Sequence, residues 1–237
     1  MKIMTFNIQS CKDYITKEYN HKICGNLIKE INPDVIGLNE VTNGFVKNQG
    51  PRYFKQIEAL KDYCNYEYAY FAEAIKIHEI APYGNGLLSH YEVNDFEVYK
   101  IPDPKRTEDC YYESRCIIKC EIKGIIFIIT HMGLANGERI NAVKEIIRLT
   151  KNENKPIILL GDFNMTPVDK ILKPLFDYYN DTSSLIKGDN RTFPSINPER
   201  KIDYIMIKKD TNIKIKNIEV IKKVASDHFP ILLEIEL

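Results

Sequence analysis

Residues 156–164 read Pro-Ile-Ile-Leu-Leu-Gly-Asp-Phe-Asn. A short aliphatic run held between a proline and a glycine, apolar at every position, reads as a strand buried on both faces. Where it leaves the core it delivers a carboxylate, Asp162, and an amide, Asn164. Two residues apart in extended chain, these side chains point the same way and can address one ligand. A plain Asp/Asn turn after a strand has the same composition. The functional reading gains force because the design recurs along the chain.

No linker interrupts the 237 residues, so the chain reads as one domain over 1–237. Lys and Arg total 33 and Asp and Glu total 33, for a net charge of +0. That balance lacks the basic footprint of a nonspecific nucleic-acid binder and argues against DNA as an obligatory substrate. No apolar run approaches the roughly 20 residues that span a bilayer. Met1 to Asn7 carries one basic residue and no long apolar stretch, unlike a signal peptide. The 6 cysteines show neither a CxxC nor a zinc-like spacing. Cys116 and Cys120 share one face of an expected strand and read as buried free thiols. A reduced, cytoplasmic protein is expected.

In chain order, Lys2 to Phe6 reads as a first strand ended by Asn7. Cys24, Leu27, Ile28 and Ile31 recur at helical spacing, predicting an amphipathic helix from Tyr19 that stops at Asn32-Pro33. Val35 to Leu38 is the next strand, delivering Asn39-Glu40 at its exit. A helix over Tyr53 to Leu60 and a strand over Tyr66 to Phe71 follow. Pro82 to Gly86 reads as a turn. Phe96 to Ile101 and Arg115 to Ile122 are strands, and Lys123-Gly124 turns the second into Ile125 to Ile129, ending at Thr130-His131. Asn136 to Thr150 reads as a helix with Ile140, Val143 and Ile147 on its buried face and Ile146 beside them. A short helix is expected over Val168 to Tyr178, then a polar stretch from Asp181 to Pro198. The last strands are Ile202 to Ile207, Ile213 to Val220 and Ile231 to Ile235. Strands outnumber helices, and hairpins alternate with helices, which predicts mixed sheets with helices packed outside.

Apolar strands thus begin or end on Asn7, Glu40, His131, Asp162 with Asn164, and Asp227 with His228, and Asp203 sits inside another. Buried runs have fixed ends, so groups at those ends form a rigid site. So many unlike polar groups at strand ends are poorly explained as separate turns. Carboxylate and amide oxygens are hard ligands that suit Mg²⁺ or Mn²⁺. The lack of paired cysteines or an HExxH helix argues against zinc.

The motifs Thr5-Phe6-Asn7, Asn39-Glu40-Val41, His131, Gly161-Asp162-Phe163-Asn164, Ile202-Asp203-Tyr204 and Ser226-Asp227-His228 resemble, in order, those of the endonuclease/exonuclease/phosphatase superfamily. His131-Met132-Gly133-Leu134 through Glu138-Arg139 and Thr192-Phe193-Pro194-Ser195 look like a bacterial hydrolase branch of it. The resemblance implies an α/β fold, a four-layer α/β sandwich of two packed mixed β-sheets flanked by helices. It also implies divalent-metal hydrolysis of a phosphoester. By resemblance Glu40 is the main Mg²⁺ ligand, with Asn7 and Asp227 as ligands or supports. Asp162 orients or deprotonates the attacking water, and Asn164 holds water or phosphate. His228 contacts the phosphate, and Asp203 fixes its tautomer and raises its basicity. His131 supplies a second donor or cation opposite. Many members carry Gln where Asn39 stands, a change expected to act on packing behind the metal ligand.

Three further residues are substrate-binding candidates. Asn85, between two glycines, resembles a family position near the site and also fits a turn asparagine. Arg115 and Arg139 match phosphate geometry. The leading expectation is a Mg²⁺-dependent phosphodiesterase or phosphatase acting on a small-molecule or lipid-derived phosphoester. The alternatives are a DNA or RNA nuclease and, further off, a binding module that kept the fold and lost the chemistry. Substrate choice is expected in the loops Asn43 to Arg52, Ala72 to Tyr83 and Asp181 to Glu199.

Overall fold

The computed structural model describes residues 1–45 and 50–237. The first half of the chain runs β1 (Lys2–Asn7), α1 (His21–Ile31), β2 (Val35–Thr42), α2 (Gln56–Cys64), β3 (Tyr68–Ile77) and β4 (Ala81–Ser89). The second runs β5 (Asn94–Lys100), β6 (Cys116–Ile122), β7 (Ile125–His131), α3 (Asn136–Thr150), β8 (Ile157–Asp162), α4 (Lys173–Tyr178), β9 (Tyr179–Asp181), β10 (Asp203–Lys208), β11 (Ile215–Val220) and β12 (Ile231–Ile235). They build two six-stranded sheets, ordered β11-β12-β1-β2-β4-β3 and β5-β6-β7-β8-β10-β9. Each sheet has one parallel pair near its centre, β1 with β2 and β7 with β8. Parallel neighbours need a crossover, and α1 and α3 supply the two.

Alternation along the central strands explains the layering. Ile3 and Val35 of the first sheet meet Phe127, Ile129, Ile158 and Leu160 of the second in the core between the sheets. Their neighbours Met4, Ile36 and Leu38 face outward beneath α1 and α2. Ile126, Ile128, Ile157 and Leu159 do the same beneath α3 and α4. A strand buried on both faces must be largely apolar, which is why β7 and β8 carry no polar position until Thr130 and Asp162 at their ends. The result is an α/β sandwich of two packed mixed sheets flanked by helices.

Several expectations are corrected. Asn39 and Glu40 lie inside β2, not at its exit, because the strand continues to Thr42. Pro82 to Gly86 is strand, not turn, and pairs with both β2 and β3. Gly84 is there because a Cβ would sit 2.0 Å from the Ala72 carbonyl oxygen, a strand approach that mimics turn composition. The second helix starts at Gln56, and β3 extends to Ile77. Helix α3 buries Glu138, Ala142, Val143, Ile146 and Thr150, while Ile140 is exposed. The segment before Tyr178 is a 3-10 turn over Lys170–Leu172 followed by α4. The stretch after it holds β9 and a 3-10 turn over Thr182–Leu185. Of the specificity loop expected at Asn43 to Arg52, residues 46–49 lie outside the described residues. The Lys123-Gly124 turn has positive φ at both residues, as a tight two-residue hairpin needs. No helix among the described residues is long and apolar enough to cross a membrane.

Candidate active site

Strand register sets the polar side chains in rows. His131 ends β7 opposite Asp162 at the end of β8, and Asp162 in turn faces Asp203 at the start of β10. In the other sheet Asn7 ends β1 opposite Asn39 of β2. The rows meet through Asn7, whose Nδ2 donates to Asp162 Oδ2 at 3.1 Å and to Glu40 Oε1 at 3.0 Å. Glu40 reaches this point because β2 is irregular between Leu38 and Val41 and Glu40 takes φ 58°. A bulge re-aims a side chain in this way. Gly161 is equally constrained: with φ at 145°, a Cβ there would meet the Thr130 carbonyl oxygen at 1.8 Å.

Asp162 Oδ2 is the hub. It lies 3.4 Å from His131 Nε2 and 3.7 Å from His228 Nε2. Its partner Oδ1 accepts the Asn164 backbone N–H at 2.8 Å. Burial pushes the Asp162 carboxyl up to about 7, and Asp203 adds to the rise while His228 opposes it. His228 Nδ1 lies 2.8 Å from Asp203 Oδ2. Burial alone would lower His228, but the carboxylates of Asp203, Asp162 and Asp227 outweigh it and raise the imidazole to about 10. His131 goes the other way: burial first, then Arg115 and His228, hold it well below the usual histidine range. The two imidazoles that flank Asp162 therefore differ in charge at neutral pH, with His228 cationic and His131 neutral.

Asp227 sits on the Glu40 side. Gln9 Nε2 donates to its Oδ2 at 2.7 Å and Ser226 Oγ to its Oδ1 at 3.1 Å. Burial raises the Asp227 carboxyl and Glu40 adds to this, with His228 working against both. Neither Glu40 nor Asp227 has a Lys or Arg ion pair among the described residues. Crowded hard oxygens without a protein cation are the chemistry that fits a divalent ion. Asp162, Asp203 and His228 each bring a potential ligand atom within 4.8 Å of the others, so the site holds a carboxylate–imidazole group of metal-binding type.

These groups floor a cleft of about 350 Å³ walled by Tyr83, Tyr111, Glu113, Arg115, Phe193 and Arg200. A larger cavity of about 540 Å³ lies elsewhere, along β9 and β10, and contains none of these groups. Arg115 is in the wall, with Nη1 3.0 Å from His131 Nδ1. Arg139 and Asn85 do not line the cleft. Arg139 Nε donates to the Gly133 carbonyl at 3.3 Å. Asn85 is buried behind the site: it accepts from Asn39 Nδ2 at 2.8 Å and donates to the Cys116 carbonyl at 2.9 Å. Asn39 completes the link by accepting the Asp162 backbone N–H at 2.9 Å and donating to the Thr130 carbonyl at 3.0 Å. The two amides stitch the sheets together directly behind the hub.

Sequence reasoning missed Gln9, Tyr83, Tyr111, Glu113, Phe193 and Arg200. Arg200 stacks over Phe193, 4.8 Å from its ring centroid. Most of the wall segment lies between the expected strands Phe96 to Ile101 and Arg115 to Ile122, where the sequence shows only a polar loop over Pro102 to Cys110. Two carboxylates pin it to α3: Glu108 accepts the backbone N–H groups of Asn136 and Gly137, and buried Glu138 accepts those of Leu134, Ala135 and Glu113. A polar loop rich in charge carries no periodic signal that marks such pinning.

The Endonuclease/Exonuclease/phosphatase family profile matches residues 4–228, so the chain belongs to this family. Its members are phosphoester hydrolases. Nothing among curated proteins matches the chain by sequence. Among solved structures it is similar to an endonuclease/exonuclease/phosphatase family protein from Leptotrichia buccalis, 22% identical over 100% of both chains with TM-score 0.78. It is also similar to the mannosyl-6-phosphatase of Bacteroides thetaiotaomicron, 14% identical over 100% of both chains with TM-score 0.74. A third is the 3′ phosphatase NExo from Neisseria bound to product DNA hairpin, 16% identical over 100% of both chains with TM-score 0.69. At these identities the likeness is one of fold.

Proposed function

We propose that the chain is a Mg²⁺-dependent hydrolase of a small phosphoester, folded as one domain over 1–237 and working in a reducing, cytoplasmic setting. The observation that carries the reading is Asp162, a buried carboxylate held between the imidazoles of His131 and His228 and bridged to Glu40 through Asn7. Glu40, Asn7 and Asp227 would hold the cation. Mn²⁺ fits the same hard oxygens. A cationic His228 is a poor metal ligand, since ligation needs a neutral ring, which favours the Glu40 side over His228. Bound there, the ion would neutralise charge on the phosphate oxygens and leave the chain's own groups to do the rest.

Asp162 orients the attacking water and takes its proton, a task suited to a carboxyl raised to about 7. His228 meets the phosphate as a cation held by Asp203 and stabilises the charge that develops on it. The Asn164 backbone N–H holds the Asp162 carboxylate, and the Asn164 amide lies 3.1 Å from His131. The cleft is small, which favours a compact phosphoester over a polynucleotide. The sugar-phosphate and DNA 3′ phosphatases that share the fold support hydrolysis of a terminal phosphate on either kind of scaffold. Five buried free cysteines support a reducing compartment.

The test is a panel of sugar phosphates, inositol phosphates, sphingomyelin, abasic and plain DNA, RNA and a chromogenic diester, with and without Mg²⁺. Metal-dependent turnover that D162A loses by at least 10²-fold is the expected result. Equal turnover in D162A, or in EDTA, would overturn the reading.

A further inference from the structure

Arg115 and Asn164 make incompatible demands on the ring of His131. Arg115 Nη1 lies 3.0 Å from Nδ1, and Asn164 Nδ2 lies 3.1 Å from Nε2. A guanidinium can only donate. The Asn164 nitrogen is also set as a donor, because it bonds the Met132 carbonyl at 2.9 Å. A neutral imidazole has one bare nitrogen, so only one of the two contacts is a hydrogen bond. Charge decides between them. The bond from a guanidinium is charge-assisted and roughly twice as strong as one from a neutral amide. A proton on Nε2 then faces Asp162 Oδ2 at 3.4 Å. The opposite tautomer turns a ring N–H at the guanidinium and a lone pair at the carboxylate, which is repulsive at both ends. The doubly protonated ring repeats the first of those clashes.

We infer that Arg115 is a positioning residue that fixes His131 as a neutral imidazole with its proton on Nε2. His131 is therefore a hydrogen-bond donor facing the reacting centre and not an acid that transfers its proton. The inference deepens the hydrolase reading and rests on it only for what the N–H contacts. Arg115 is itself held rigidly. It pairs with Glu113 at 2.6 Å, and the two side chains are only 10% and 11% exposed. Tyr111 donates to Glu113 Oε2 at 3.1 Å, and the Glu113 backbone N–H is tied to Glu138 at 2.7 Å. The consequence is a division of labour around Asp162. His228, backed by a carboxylate, carries charge, and His131, backed by a guanidinium, carries a fixed N–H. Nothing in the spacing of the two histidines distinguishes them; their partners do.

The test is a long-range ¹H–¹⁵N correlation of the labelled full chain without substrate, the His131 signals being assigned by their loss in H131N. The unaltered protein and Arg115→Lys, whose ammonium also only donates, are expected to show the Nε2–H tautomer. Arg115→Met is expected to show averaged or Nδ1–H signals. An Nδ1–H ring in the unaltered protein overturns the inference even if Arg115→Met fails to fold, and so does an unchanged spectrum in folded Arg115→Met. On an active phosphoester, Arg115→Met should lower kcat about tenfold or more, with Arg115→Lys recovering most of it. A shifted tautomer with unchanged kcat would overturn the positioning role. No turnover by the unaltered protein counts against the hydrolase reading, and the spectra still decide this one.

Discussion

At the scale of single residues, partners set the chemistry more than residue type does. His228 and His131 both touch Asp162, yet one is raised to about 10 and the other pushed well below the usual range. That difference has a pH signature in the protein without metal. Unfolded histidine titrates near 6.5, so between pH 6.5 and 8 the unfolded state releases the His228 proton while the folded state keeps it. A group with a raised folded pKa contributes stability that is full below its unfolded value and lost as pH rises toward the folded one. His131, neutral when folded, offsets part of this at the window's lower end, where its unfolded ring still sheds a proton, yet stability still falls as pH rises. Asp162, raised to about 7, works in the same direction at the window's lower end. Lys201, lowered by burial to about 8, acts the other way from the upper end of the window onward. The melting temperature in EDTA should therefore fall from pH 6.5 to 8, and H228Q should flatten the slope. An unchanged slope in H228Q would mean that His228 is not held as a cation. The catalytic candidates were legible because they stand at the ends of apolar runs. Gln9 was not: its contact with Asp227 joins residues 218 positions apart, from a loop without periodicity.

At the scale of elements, the strand centres were readable and the segments that aim the side chains were not. Alternating or continuous apolar runs located β7, β8 and β12 closely. The bulge that turns Glu40 into the cleft, and the Gly84-bearing strand that reads as a turn, depend on neighbours in the sheet. The face of α3 was misjudged for a related reason. Buried Glu138 occupies its first turn, so the inward stripe begins on a carboxylate where an aliphatic count expects Ile140. Glu138 closes half of a capping box on Ala135 N–H and also holds Leu134 and Glu113. Glu138→Gln swaps one acceptor oxygen for an amide that can only donate, setting it against backbone N–H groups. An unsatisfied buried donor costs about 1–3 kcal/mol. The variant should melt lower, and the Glu113 amide should exchange faster with solvent. KM should rise more than kcat falls, because the floor of the cleft stays in place. Full protection of the Glu113 amide in the variant would show that Glu138 does not hold this wall.

At the scale of the whole molecule, the two sheets repeat one plan. Around β1-α1-β2 stand β12 on one side and β4 then β3 on the other. Around β7-α3-β8 stand β6 on one side and β10 then β9 on the other, with the same parallel and antiparallel pairings. The repeat is in topology and left no trace in sequence, because apolar runs specify a buried strand without specifying which one. The site lies where the halves meet: Asn7 and Glu40 come from one sheet, and His131, Asp162 and Asp203 from the other. A ligand bound across that seam by the folded chain alone must stabilise the fold. At a Mg²⁺ concentration about 100 times the dissociation constant the gain is about 2.7 kcal/mol, on the order of 5–10 °C for a chain of this size. Glu40 and Asp227 repel one another when no cation is bound, so Glu40→Gln should leave the EDTA melting temperature equal or higher while removing most of the Mg²⁺ increment. The opposite pattern, a lower EDTA value with the increment intact, would make Glu40 a structural acid and move the cation to the Asp162, Asp203 and His228 group.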